Sequence, residues 1–149
     1  MSSAPFDVSV VAENLKGLMP DKTLVFVGTS DEYSKLTDLT SAPTPAAYVL
    51  LGKETPNDKP TGTRQSVSVN FGVVVVARDI SSQATNIQNV KQLANPVIGA
   101  VRDLLIGKTV QFIDGVRPVT WVGGQTLGFQ NGVLVWIDSF QTQHFIGSR

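Results

Sequence analysis

Hydrophobic and polar positions alternate most clearly from Ser66 to Arg78, which reads SVSVNFGVVVVAR. Val67, Val69, Phe71, Val73, Val75 and Ala77 fall on one face of a β-strand. The opposite face changes character midway: Ser66, Ser68 and Asn70 are polar, whereas Val74 and Val76, beyond Gly72, are apolar. At ~3.3 Å per residue such a strand extends roughly 40 Å, against ~17–20 Å for an ordinary one. The pattern predicts a strand buried on both faces at its C-terminal end and projecting from the core at its N-terminal end. Val133 to Phe145 carries the same design in reverse, with Val133 to Ile137 apolar on both faces and Ser139, Gln141, Thr142 and Gln143 polar. Laid antiparallel, apolar half meets apolar half and polar half meets polar half, so the two stretches are expected to be neighbours in one sheet.

The remaining elements follow from shorter patterns. Val8, Val11, Leu15 and Leu18 recur at three and four residues and predict a short amphipathic helix ending at Met19-Pro20. Thr23 to Val27 and Ala46 to Leu51 are apolar runs that read as buried strands, separated by an irregular helical turn around Tyr33 and Leu36. Lys53 to Gln65 holds two prolines, a glycine and no large apolar side chain, so it is expected as an exposed loop, either a hairpin tip or an arm that orders on a partner. Ile87, Val90, Ala94, Val97, Val101, Leu104 and Leu105 keep helical spacing. Pro96 within them predicts a kink or two successive helices. Val110 and Phe112 lead to the turn signal Asp114-Gly115. Val119 to Val122 forms a further strand, and Leu127 and Phe129 lead to Asn131-Gly132, a strong hairpin signal.

Composition narrows the function. A chain of 149 residues fits one domain spanning 1–149, with the exposed loop at about 53–65 as its one outlier. Twelve basic and twelve acidic residues cancel, which argues against a dedicated nucleic-acid binder. No cysteine is present, so disulfides and thiolate metal sites are excluded. The start MSSAPFD has neither a basic nor an apolar segment of the kind a signal peptide needs, and the apolar runs are far shorter than a membrane span. A soluble protein made in the cytoplasm is expected.

Candidate chemistry is sparse. His144 is the sole histidine, which excludes a paired-histidine metal site, and its polar surroundings predict a solvated ring. Asp138 enters the core between Ile137 and Ser139, where it is expected to pair with an arginine or cap a turn; no base partner is visible. Gly123-Gly124 and Gly128 lack the Lys-Ser/Thr and the helix start of a phosphate loop, and read as a bulge or tight bend between strands. Trp121 and Trp136 read as core or interface anchors. Neither catalytic nor cofactor nor metal residues are expected.

The stretch Pro118 to Thr142, PVTWVGGQTLGFQNGVLVWIDSFQT, resembles the C-terminal signature of a family of phage tail proteins from contractile-tailed and Mu-like phages, the tail terminators. Val122-Gly123-Gly124, Gly132-Val133-Leu134, Trp136, Asp138, Phe140 and Thr142 carry the likeness, and Leu104-Leu105 before Gly107 sit where that family has a helix. The resemblance implies an α+β fold, a mixed, mainly antiparallel sheet with two or three helices packed on it. It further implies a hexameric ring that caps the tail tube, ends elongation and offers the head or neck proteins an attachment surface at the tail–neck junction. DNA would pass through the lumen without sequence-specific binding. Expected partners are further copies of the chain, the tube and sheath proteins and the neck. Expected contact residues lie in the loop and on the polar strand ends: Lys53, Glu54, Asp58, Lys59, Arg64, Ser66, Ser68, Asn70, Gln141 and Gln143. Two rival readings stand beside it, another neck or head-completion protein and a small ligand-binding or enzymatic α/β domain. The latter needs convergent polar residues that Val73 to Val76 and Val133 to Ile137 do not offer.

Overall fold

The computed structural model describes residues 3–36, 42–57, 59–79, 87–109 and 117–147, with only the backbone described at 87–89. Helix α1 (Ser9–Leu15) tightens into a 3₁₀ turn (Lys16–Leu18) and is followed by β1 (Phe26–Thr29) and the short α2 (Ser30–Ser34). Strands β2 (Ala46–Pro56) and β3 (Arg64–Arg78) precede helix α3 (Ile87–Leu105), and β4 (Thr120–Gln130) and β5 (Val133–Gly147) complete the described elements. The five strands form one mixed sheet in the order β1-β2-β3-β5-β4, parallel only between β1 and β2.

The expected pairing of the two long strands holds along their whole length, from Arg64 opposite Gly147 to Arg78 opposite Val133. Period-two alternation then sorts their side chains onto two faces. On one face Val67, Val69, Phe71, Val73, Val75 and Ala77 meet Leu134 and Phe140, covered by Val11, Ala12 and Leu15 of α1 and by Val90, Ala94, Val97, Ile98, Val101 and Leu105 of α3. On the other, Ala46, Tyr48, Val74, Val76, Val133 and Val135 form a second, smaller core against Phe26, Tyr33 and Leu36. The sheet is therefore a buried layer at the C-terminal half of β3, as the apolar doublet of faces requires.

The structure corrects several local expectations. Pro96 lies inside one continuous α3. Gln92, whose carbonyl loses its donor, and Pro96 are both exposed, so the unpaired group is on the water side of the helix, where it costs least. The strand expected at Thr23 to Val27 begins at Phe26, because fully buried Leu24 is held by its N–H to the Leu18 carbonyl, outside the sheet ladder. The loop expected over 53–65 shrinks from both ends: β2 runs to Pro56, pairing Glu54, Thr55 and Pro56 with Val69, Ser68 and Val67, and β3 starts at Arg64. Two strands expected between Val119 and Phe129 are one, β4, with register shifts between Trp121 and Gly123 and between Thr126 and Gly128. The bulge reading of Gly123-Gly124 thus locates one of them. Asn131 and Gly132, at φ 53° and 79°, make the hairpin turn into β5 with the left-handed pair such a turn requires. The strand and turn expected at 110–115 lie outside the described residues.

Candidate assembly surface

Asp138 is the polar centre of the helix-covered face. Its side chain is 2% exposed, and its Oδ2 accepts from Arg102 Nε at 2.8 Å. Oδ1 accepts from Arg102 Nη2 at 2.9 Å, Trp136 Nε1 at 2.9 Å and Trp121 Nε1 at 3.2 Å. One carboxylate therefore binds together α3, β4 and β5. The bidentate pairing is the strong form of a charge-assisted bond, and it raises the Arg102 guanidinium above its ordinary value. Arg102 also lies 4.9 Å over the Trp121 ring, a cation–π contact. Of the two sequence expectations for Asp138, pairing with an arginine is the one realised. Arg102 itself escaped the sequence reading. Its signal was present: it stands one turn after core residue Ile98 and next to Val101, at the margin of the apolar stripe.

Gly124 fits this centre by having no side chain. A Cβ there would stand 2.3 Å from Asp138 Oδ1 and 2.8 Å from the Trp136 ring. Gly124→Ala is expected to cost roughly 1–3 kcal/mol by overpacking, measured by urea denaturation; an unchanged midpoint would show that the carboxylate shifts freely. Phe140, in turn, is fully buried and stacks on Phe71 at 5.6 Å, which stacks on Phe6 at 6.2 Å. Of the resemblance-bearing residues, Gly124, Trp136 and Asp138 thus join the last hairpin to the helix, and Phe140 packs that hairpin on β3.

The opposite face holds the expected contact residues of β3 and β5. Ser66, Ser68 and Asn70 of β3 lie beside Phe145, Gln143 and Gln141 of β5, so register brings the polar halves into one strip. Two of its members are already engaged: Asn57 Nδ2 donates to Ser66 Oγ at 2.8 Å, and Ser68 Oγ donates to Asn57 Oδ1. Asn57, not singled out from sequence, thereby fastens the base of the loop. Asn70 Oδ1 is buried with no hydrogen-bond partner. Gln141 and Gln143 are half-buried.

Around the loop, Lys59 is exposed, and with Thr61, Arg64, Ser66 and Phe145 it lines a shallow groove. The Arg64 guanidinium sits 4.3 Å over the Phe145 ring. Lys53 is exposed; Asp58 lies outside the described residues. Glu54 turns inward: its Oε1 accepts from the Phe6 N–H at 2.6 Å and lies 3.4 Å from His144 Nε2. His144 is 4% exposed, which corrects the expectation of a solvated ring. Alternation on β5 places it on the helix side opposite Val67, under Phe6, whose ring meets it edge-on at 5.9 Å. The projecting half of β3 is accordingly covered on this side, with Val67 and Val69 buried.

Among the described residues no group of three or more His, Asp or Glu is placed to hold a metal ion, and no helix is long and apolar enough to cross a membrane. The family model described as phage tail terminator protein matches residues 1–149. No curated protein sequence matches. A chain of the solved structure titled "Virion of native gene transfer agent (GTA) particle" shares the fold, with a TM-score of 0.54, 16% identity and 91% of each chain covered.

Proposed function

Because this chain belongs to the phage tail terminator family, a class of structural phage proteins, we propose that it acts by assembly: it forms a ring, hexameric in its closed form, that caps the tail tube, ends elongation and presents the surface to which the head or neck attaches. The observation that carries the reading is the polar strip of β3 and β5. There the second core stops at Gly72, the sheet continues, and Asn70 keeps a buried amide oxygen without a partner beside half-buried Gln141 and Gln143. A buried acceptor left unpaired costs about 1–3 kcal/mol, so a partner that donates to it gains that amount on docking. Lys53, Lys59 and Arg64 at the loop add charged contacts at the rim. A balanced net charge suits a channel that lets DNA pass.

Deleting the gene is expected to yield tails of uncontrolled length or tails that do not join heads, scored by electron microscopy. Normal virions would refute the reading. Shortening the loop tip at 59–62, which leaves Asn57 and the Glu54 contacts in place, is expected to preserve the melting curve of the isolated chain and weaken its attachment to tubes in co-sedimentation. Undiminished attachment would reduce the loop to a connection.

A further inference from the structure

Resting on the ring reading, we infer that copies join sheet edge to sheet edge, β4 of one copy pairing antiparallel with the β1 edge of the next. A closed ring needs two different surfaces on each subunit, one on either flank. Among the described strands, the sheet order puts β1 and β4 at the two ends, each paired on one side only. The strand directions agree: β1 is parallel to β2, and three successive antiparallel pairings leave β4 antiparallel to β1. A sheet continued around a ring axis would therefore make this junction antiparallel.

The β4 edge, TWVGGQTLGFQ, lacks two of the devices that keep such edges apart, charge and proline. Its two bulges interrupt the ladder, but they bracket a regular run, Gly123 to Thr126, four residues paired in step with Ser139 to Trp136. The β1 edge is as short, four residues, and equally uncharged. The two fit with faces matched when Val25 stands opposite Thr126, Phe26 opposite Gln125 and Val27 opposite Gly124. Phe26 belongs to the second core, as does Ile137, the neighbour of Gln125; Val27 belongs to the helix-side core, as does Trp136 beside Gly124. Apolar side chains flank the match on both partners: Val25 is 41% exposed on one, Trp121 46%, Val122 57% and Leu127 48% on the other. Trp121 is already held by Asp138 and Arg102, so its ordering entropy is spent before a partner arrives. A fixed, half-exposed tryptophan is the usual anchor of an interface.

The absence of cysteine makes the test clean. Virions are assembled with chains carrying Val25→Cys and Thr126→Cys together, or either alone, then oxidised and run on non-reducing gels. The pair is expected to give a ladder of linked multimers that reductant collapses, and each single variant a monomer. Monomers only, from particles in which micrographs show the ring, overturn the joint while leaving the ring intact. Dimers from Thr126→Cys alone also overturn it, since they place β4 against β4. Particles of normal tail length that lack the chain altogether overturn the ring reading on which the joint rests.

Discussion

Asp138→Ala is expected to lower folding stability by roughly 3–5 kcal/mol, seen as a lower urea midpoint of the isolated chain. The residue removed accepts four hydrogen bonds from three elements. What remains is worse than a missing contact: two indole N–H groups and a guanidinium are left facing a void. Arg102 is 33% exposed and regains part of its hydration, which sets the effect toward the lower end of that range. Asp138→Asn separates charge from shape. It keeps the volume but substitutes an amide with two donors of its own for an acceptor, so about half the loss is expected. Asp138→Ala combined with Arg102→Met should recover part of the stability, because a buried ion pair replaced as a unit costs far less than one broken in half. Additive losses would show that the two groups act separately.

Phe140→Ala is expected to cost about 3–5 kcal/mol by the same measurement. The ring lies between Phe71 and the β4 strand, opposite Trp121 on one side and Phe71 on the other. Backbone ladders on both flanks hold those neighbours in place, so the cavity cannot close by collapse. Leu51→Ala, at an exposed position of β2, serves as the control and is expected to stay within ~0.5 kcal/mol. A comparable loss at Leu51 would mean that the outer end of β2 carries more of the fold than its exposure indicates.

Much of this architecture was legible before any coordinates. The alternation in Ser66 to Arg78 and its reversal in Val133 to Phe145 were enough to predict the antiparallel pair, because strand periodicity ties each residue to a face and only one orientation matches apolar to apolar. Asn131-Gly132 marked its turn for a local reason, the left-handed backbone. The errors have an equally physical source. Lys53 to Gln65 looked unable to bury itself, yet backbone pairing with a neighbouring strand needs no apolar side chains, so β2 extends through Lys53, Glu54 and Thr55. Pro96 looked like a break, yet its cost depends on which side of the helix the freed carbonyl faces.

By itself the sequence determined what is periodic or local: the long strands and their partnership, the amphipathic stripe of α3, the hairpin turn, and the absence of thiol or paired-histidine chemistry. Only the tertiary structure decided what depends on residues distant along the chain. Arg102 and Asp138 lie 36 positions apart, and Glu54 and Phe6 48 apart. No pattern links such positions. The structure alone brought two tryptophans and an arginine onto one carboxylate, closed Phe6 and Glu54 over His144, and left β1 and β4 outermost among the described strands of the sheet. Those are matters of which surfaces meet, and a surface exists only once the chain has folded.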